Sequence, residues 1–228
     1  MSKIDELAIV LVSGGMDSLA VAAMAHEKFE KLSFLHLNYG QKTSHKEREC
    51  FDKICEFYDV DQAHQKIIDM TFLSQIGGSS LTDSRIEVTK YDGDSDVIPS
   101  SYVPFRNTHI IAMAVSWAEV IGARKIYIGA NYEDSPGYPD CRPSYYEAYN
   151  KLIKQGTKDG DIEVVTPVIM MKKSEIVREA INRKAPLEIT WSCYARADKA
   201  CGECDSCALR LRGFKEAGLK DPIEYRQK

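Results

Sequence analysis

The chain has 228 residues, of which 44% are hydrophobic and 28% are charged, a composition that is typical of globular proteins and excludes an intrinsically disordered one. Its formal net charge of −4 provides no overall attraction to nucleic acid. No apolar run approaches the roughly 18 residues of a membrane helix, and the polar N-terminus differs from a secretory signal, so we predict a cytoplasmic protein that binds neither membranes nor nucleic acid.

Short apolar runs alternate with stretches of helical periodicity along most of the chain. The runs that predict strands cover residues 7–12, 32–38, 65–69, 125–129 and 163–169. The stretches that predict helices cover residues 17–29, 43–57, 107–121 and 144–155, and a further helix follows the last strand. Asn107 and Ser174 are the candidate N-caps of the third and last helices. This alternation predicts an α/β fold in which helices flank a parallel sheet in a Rossmann-like arrangement.

Ligands of parallel sheets bind beyond the carboxyl ends of the strands. The polar segments 13–18, 38–41 and 129–143 all follow predicted strands, so we expect the functional site at that edge of the sheet. Residues 77–101 interrupt the alternation with a polar stretch. We predict a mobile excursion or lid there, and a surface loop without a role is the alternative.

The segment Ser-Gly-Gly-Met-Asp-Ser at residues 13–18 connects the first strand to the first helix. Its two glycines let the backbone approach an anion, and the helix N-terminus supplies unpaired amides and a positive dipole. The hydroxyls of Ser13 and Ser18 can donate to phosphate. No lysine follows in the Walker pattern. The segment therefore predicts a phosphate loop of another kind, and a tight turn with Asp17 as the helix cap is the alternative.

Four of the seven cysteines, Cys193, Cys201, Cys204 and Cys207, lie within fifteen residues. In a chain without an export signal this clustering favours metal binding over disulfides. The spacing permits a closed tetrahedral site, typical of structural zinc. An iron–sulfur cluster also takes four cysteines, but the chemistry inferred below needs no electron transfer. A zinc knuckle for nucleic acid is the other alternative, although residues 191–228 carry only eight Lys or Arg against six Asp or Glu.

Two segments carry candidate substrate-binding side chains. Arg106 lies near a predicted helix N-terminus, where a cation is unfavourable unless it meets an anion or a carboxylate. A proline-stiffened loop carries Tyr138, Asp140 and Arg142 together. Asp140 could accept hydrogen bonds from a guanine-like N–H edge, and Arg142 could hold a phosphate or carboxylate. An exposed arginine and a plain turn are the alternatives.

The segment 13–18 resembles the S-G-G-x-D-S loop of the PP-loop ATP pyrophosphatase superfamily, whose members bind the pyrophosphate of ATP and adenylate a substrate oxygen. Together with four later motifs, it resembles the 7-cyano-7-deazaguanine synthase family of the queuosine pathway over residues 7–222. The later motifs are residues 39–41, 103–107, 137–143 and 190–210.

This resemblance implies an adenine nucleotide α-hydrolase-like fold, a structural four-cysteine zinc site and a homodimer. It also implies a reaction in which 7-carboxy-7-deazaguanine, ammonia and ATP with magnesium give 7-cyano-7-deazaguanine, AMP and pyrophosphate through an adenylated acid and an amide. These substrates are all small molecules, so no nucleic acid partner is expected.

The resemblance further implies roles for individual residues. The residues implied to bind ATP are Val12, Ser13, Gly14, Gly15, Met16, Asp17, Ser18, Tyr39 and Gln41. The residues implied to bind the deazaguanine substrate are Arg106, Asn107, Asp134, Tyr138, Asp140 and Arg142. The residues implied to act in catalysis are Ser13, Asp17, Ser18 and Arg106. Lys172 or Lys173 is a further candidate for contacting phosphate.

The chain departs from the family pattern at two places. Phe105 stands where the family often has glycine, and Ser135-Pro136 replaces an aromatic residue followed by serine. A stacking role of the missing aromatic would pass to Phe105, Tyr132 or Tyr138.

We predict one folded unit with two parts. Residues 1–185 form the PP-loop ATP-binding and catalytic domain, and residues 186–228 form the helical four-cysteine segment.

The sequence leaves two other functions open. A tRNA-thiolating enzyme would share the loop but would need a reactive cysteine pair and a basic surface, and a zinc-binding module without catalysis would leave residues 13–18 unexplained. Free ammonia is favoured over glutamine because the chain has no room for a glutaminase domain.

Overall fold

The computed structural model describes residues 3–91, 98–132 and 138–226. Within them, five parallel strands form one sheet in the order β3-β2-β1-β4-β5. The strands are β1 (Ile4–Leu11), β2 (Phe29–Asn38), β3 (Gln65–Asp69), β4 (Lys125–Tyr127) and β5 (Glu163–Val165). The main helices are α1 (Met16–Lys28), α2 (Ser44–Phe57), α3 (Arg106–Ile121), α4 (Pro143–Gly156), α5 (Lys173–Asn182) and α6 (Asp205–Ala217). The predicted α/β fold with a helix-flanked parallel sheet is confirmed.

The central strand β1 is buried on both faces. Ala8 and Val10 face a cluster with α1, α2, α5 and α6, whereas Ile9 and Leu11 face a cluster with α3 and α4. Helices on both faces explain why β1 is a continuous apolar run rather than an alternating one. Since β1 lies in the middle of the sheet, the loop that follows it lies at the centre of the carboxyl edge.

Two predicted helix caps are wrong. The helix α3 begins at Arg106 and its N-cap is Phe105, with φ of 59°, rather than Asn107. The N-cap of α5 is Lys172, whose backbone N–H donates to the Glu175 carboxylate at 2.6 Å; Ser174 lies inside this helix. In α3, the Asp140 carboxylate accepts from the Asn107 N–H of the first turn. In α5, Glu175 of the first turn accepts from the N–H of the N-cap residue itself.

The last strand is shorter than predicted. It ends at Val165 rather than at residue 169, and Pro167 follows two residues later. Proline has no backbone N–H to donate to a neighbouring strand, which accounts for the early end of the ladder.

The described part of the excursion at residues 77–101 is packed against the rest of the chain. Ser79, Ser80 and Leu81 are buried, and the Tyr91 N–H donates to the Glu203 carbonyl at 2.9 Å. This segment thus contacts the cysteine-rich region through Tyr91, and Tyr91 and Pro99 also line the cavity at the carboxyl edge of the sheet.

The C-terminal segment shares the hydrophobic core of the sheet. Leu187 and Phe214 belong to the cluster that contains α1, and α6 packs along α5. The boundary at residue 185 stays a prediction. In the part of the chain that the structure describes, no helix combines the length and the apolar character needed to cross a bilayer.

Candidate active site

A cavity of about 300 Å³ opens where β1, β2 and β4 end. Its described wall combines the predicted phosphate loop with residues of α3, α5 and α6. The polar, charged and loop residues of this wall include Ser13, Gly15, Asp17, Ser18, Tyr39, Glu47, Arg106, Asn107, Tyr138, Lys173 and Arg210. The site therefore lies at the sheet edge that the strand order predicts.

The phosphate loop is held by its own hydroxyl groups. The Ser13 hydroxyl donates to the Ser18 hydroxyl at 3.2 Å and accepts from the Gly15 N–H at 3.3 Å. The Ser18 hydroxyl in turn donates to the Gly15 carbonyl at 2.9 Å. Both serines line the cavity, so the hydroxyls that shape the loop also lie where they can face a ligand.

Two glycines allow close approaches to this loop. Gly14 has φ of +88°, and a Cβ on it would lie 2.7 Å from the Glu47 carbonyl oxygen. At the end of β4, a Cβ on Gly129 would lie 2.9 Å from the backbone of Asp17 and of Ser18. The first turn of α1 therefore rests directly on the backbone of the neighbouring strand, which fixes the direction of its amides.

Asp17 forms an ion pair with Lys173 at the start of α5. The Lys173 ammonium lies 2.8 Å from Asp17 Oδ2, and the lysine side chain is 4% exposed. The second carboxylate oxygen of Asp17 is buried and has no hydrogen-bond partner among the described residues. Of the two candidate lysines, Lys173 lines the cavity, whereas Lys172 is exposed.

Gln41 is buried and braces the residues around it. Its side-chain oxygen accepts from the Tyr39 N–H at 2.9 Å, and its amide donates to Glu47 at 2.9 Å. Tyr39 and Glu47 line the described wall, but Gln41 does not. Sequence reasoning missed Glu47, because an acidic residue in an amphipathic helix usually indicates a solvated face.

Arg106 reaches the cavity from the first turn of α3. It donates to the Tyr39 hydroxyl at 3.1 Å, and its guanidinium carbon lies 5.2 Å from the centre of the Tyr39 ring. Its Nε is buried without a hydrogen-bond partner among the described residues. The preceding residue, Phe105, has a left-handed backbone, the conformation that glycine adopts without strain. This explains why glycine suits the position in the family that the sequence resembles.

Asp140 and Asn107 connect the substrate loop to α3. The Asn107 N–H donates to Asp140 Oδ2 at 3.1 Å, and the Asn107 side-chain amide donates to the Asp140 carbonyl at 3.1 Å. The other carboxylate oxygen, Oδ1, is buried and unpaired among the described residues. Asn107 and Cys141 belong to the described cavity wall, but Asp140 lies outside it.

The remaining residues of this loop differ in their placement. Tyr138 lines the cavity and its hydroxyl lies 2.7 Å from the Ser101 hydroxyl; burial raises the pKa of Tyr138 to about 12, so its phenol stays protonated at neutral pH. Arg142 is exposed and is not part of the described wall. Asp134 and Ser135-Pro136 lie outside the described residues.

The four clustered cysteines meet at the start of α6. The sulfurs of Cys193, Cys201, Cys204 and Cys207 all lie within 4.8 Å of one another. Cys201 Sγ accepts from the N–H groups of Cys204 at 3.3 Å and of Glu203 at 3.4 Å. Such amide hydrogen bonds stabilise thiolates, the form in which cysteine binds metal. The cluster therefore has the ligand number and the chemistry of a tetrahedral metal site.

The segment between α5 and α6 ties this cysteine cluster to the phosphate loop. The Trp191 N–H donates to the Gly14 carbonyl at 2.9 Å. Arg210 of α6 is 1% exposed and pairs with Asp221 through two hydrogen bonds of 2.8 and 3.0 Å, and it also donates to Thr190 at 2.7 Å. The local sequence does not indicate these hydrogen bonds of Arg210, because Thr190 and Asp221 approach it only when the chain folds back on α6.

The chain is similar to known proteins over most of its length. The family model described as "Queuosine biosynthesis protein QueC" matches residues 7–218. The chain is 54% identical to a 7-cyano-7-deazaguanine synthase of Chlorobaculum tepidum over 96% of each protein. It is 51% identical to one of Koribacter versatilis over 96% of this chain and 92% of that protein.

A solved structure of a 4-thiouridine synthetase in complex with RNA and bound ATP has a similar fold. The two chains superpose with a TM-score of 0.51 at 19% identity, over 93% of this chain and 50% of that chain. At this identity the likeness concerns the fold alone.

Proposed function

Since the chain belongs to the queuosine biosynthesis protein QueC family, we propose that it converts 7-carboxy-7-deazaguanine and ammonia to 7-cyano-7-deazaguanine at the expense of ATP. The relatives named above carry the name of this synthase. One cavity supports the proposal, because the phosphate loop, Arg106 and Tyr138 all line it. A nucleotide and an acid can therefore meet inside it.

ATP would bind with its β- and γ-phosphates on the loop. The helix N-terminus and the hydroxyls of Ser13 and Ser18 supply hydrogen-bond donors, and the Lys173 ammonium supplies a buried positive charge beside them. Released pyrophosphate carries a large negative charge. Donors that are already in place stabilise that charge as it develops and so lower the barrier.

Magnesium would bind beside Asp17. The buried oxygen Oδ1 of Asp17 has no described partner, which fits Mg²⁺ because this ion takes one or two carboxylate ligands together with nucleotide phosphates. When bound, Mg²⁺ neutralises charge on the phosphate oxygens. The Asp17 carboxylate itself is held in place by its other oxygen, which pairs with Lys173.

The substrate carboxylate would lie near Arg106. The guanidinium is fixed against the Tyr39 ring, and its Nε is still without a described partner. An oriented carboxylate attacks the α-phosphorus of ATP, the bond to pyrophosphate breaks, and an acyl adenylate forms. Positioning of the two reactants accounts for most of the rate gain in such a step.

Two activations are needed because a nitrile contains neither oxygen of the acid. Ammonia attacks the acyl adenylate and displaces AMP, which gives the amide. The amide oxygen then attacks a second ATP and pyrophosphate leaves. Loss of both protons of the amide nitrogen and of AMP forms the carbon–nitrogen triple bond. No covalent enzyme intermediate is required.

We also propose zinc as the ion of the four-cysteine site, where it would have a structural role. The four cysteines would occupy all four tetrahedral positions, so the ion would retain no site for a substrate. The same proposal includes a homodimer, which the family resemblance implies. It also includes a cytoplasmic location and the absence of a nucleic acid partner, which the sequence predicts from its N-terminal composition and its net charge.

The stoichiometry of AMP tests the reaction. Incubated with 7-carboxy-7-deazaguanine, ammonium and Mg-ATP, the protein is expected to form two AMP for each nitrile, with the amide detectable by mass spectrometry. Starting from the amide, the ratio is expected to fall to one. Formation of ADP, or an unchanged ratio with the amide, would contradict the mechanism.

Asp140 tests recognition of the base. Asp140 lies just outside the described wall, but its neighbours Asn107 and Cys141 line the cavity and its Oδ1 has no partner among the described residues. We propose that Oδ1 accepts from the deazaguanine N–H edge. Asp140→Ala is therefore expected to raise the KM for the acid by about tenfold or more, since a hydrogen bond to a charged group contributes about 1.5–3 kcal/mol. Asp140→Asn is the control: it keeps an acceptor for the Asn107 amide and hence the unfolding midpoint, but lacks the charge. An unchanged KM in Asp140→Asn would show that Asp140 acts only through Asn107.

A further inference from the structure

Gly213 lies in the interior of α6 and is buried. Its φ is not in the left-handed region, so no turn explains it. Glycine destabilises a helix interior relative to alanine because its backbone loses more conformational entropy on folding. A glycine at this position therefore suggests that a neighbouring residue leaves no space for a side chain.

The neighbour of Gly213 is Lys173 at the start of α5. A Cβ on Gly213 would lie 2.5 Å from Lys173 Cγ, 3.0 Å from Lys173 Cβ and 3.2 Å from its backbone carbonyl carbon. These atoms are the stem and backbone of the lysine, not its flexible end. A methyl group there would push the start of α5 away from α6 or displace the side chain.

The stem of Lys173 is what aims its ammonium at the phosphate loop. The ammonium lies 2.8 Å from Asp17 Oδ2, and the side chain is almost completely enclosed, so its path is set by what it packs against. We infer that Gly213 is a positioning residue for ATP binding: the missing side chain forms the channel through which Lys173 reaches the loop. This inference rests on the proposed use of Lys173 toward ATP.

The direct test compares Gly213→Ala with Gly156→Ala. Gly156 also lies in a helix, at the end of α4, and a Cβ there would meet nothing within 4 Å. Titrated with Mg-ATP, Gly213→Ala is expected to show a Kd raised about tenfold or more, because small displacements of a positioned group have large effects. Gly156→Ala is expected to bind like the wild type.

A double-mutant cycle shows whether Gly213 acts through the lysine. Lys173→Ala removes the ammonium and the nearest atom, Cγ, while Cβ and the backbone carbon of residue 173 remain. With no ammonium left to displace, adding Gly213→Ala is expected to change the Kd for Mg-ATP by less than about twofold. The unfolding midpoints of the same four proteins give a second readout: if Gly213→Ala alone destabilises or fails to fold, the double variant is expected to recover the part of the loss that comes from the 2.5 Å contact with Cγ.

Several outcomes would overturn the inference. A Kd for Gly213→Ala equal to that of Gly156→Ala, or equal effects of the methyl group with and without the Lys173 side chain, would show that Gly213 does not position this residue. A wild type that binds ATP but forms no nitrile contradicts the proposed reaction and leaves the inference standing. If the wild type binds no ATP, both the proposed reaction and the role of Gly213 in ATP binding are contradicted. The unfolding midpoints of the double-mutant cycle would then still show whether Gly213 positions the Lys173 side chain.

Discussion

Replacement of Lys173 by alanine is expected to lower kcat/KM for nitrile formation by about 10²–10³-fold, the usual effect of removing one preorganised group that stabilises developing charge. The ammonium is buried and lies 2.8 Å from Asp17 at the phosphate loop. Its loss removes a positive charge from the phosphates and leaves the Asp17 carboxylate without its ion-pair partner. Steady-state kinetics with varied Mg-ATP measure the effect.

The adjacent lysine provides a matched control. Lys172 is exposed, and its hydrogen bonds at the start of α5 are made by its backbone N–H and carbonyl, so Lys172→Ala is expected to retain nearly full activity. Unfolding midpoints of both variants separate lost catalysis from lost stability. Comparable activity of the two variants would contradict the assignment of Lys173 to the phosphates.

Replacement of Cys207 by alanine is expected to abolish stoichiometric zinc and to lower the unfolding midpoint by about 10 °C or more. Metal binding contributes on the order of 10 kcal/mol to the folding of small zinc sites, and about 1 kcal/mol shifts the midpoint of a chain of this size by about 2–4 °C. Cys207 lies in the first turns of α6 and is fully buried. Elemental analysis and thermal unfolding measure the two effects.

Cys55 is the control for this variant. It is a buried cysteine of α2 in the main core, away from the four-cysteine cluster. Cys55→Ala is expected to keep one zinc per chain and to show only the modest loss of stability that follows removal of one buried sulfur. Unchelated wild-type protein that contains no zinc would contradict the proposal, whereas iron in its place would contradict only the identity of the ion.

Much of the fold could be predicted because its signals are local. The apolar run of β1, the periodicity of α1 and the Ser-Gly-Gly segment between them each depend on neighbouring residues, and strand–helix alternation leaves few topologies other than a parallel sheet. The helix caps were less predictable. In neither helix does the N-cap side chain accept a hydrogen bond. At α3 the acceptor for the Asn107 N–H is Asp140, 33 residues further along the chain, which no local pattern indicates.

The α/β class, the loop after β1 and the grouping of four cysteines could be predicted, because each depends on residues that are close along the chain. That Lys173 rather than Lys172 faces the loop, that Gly213 leaves space for the lysine side chain and that Gln41 supports residues of the cavity wall became clear only from the packing of the folded chain. Asp17 and Lys173 are 156 residues apart, and no local pattern encodes a contact that forms only when α1, α5 and α6 pack together.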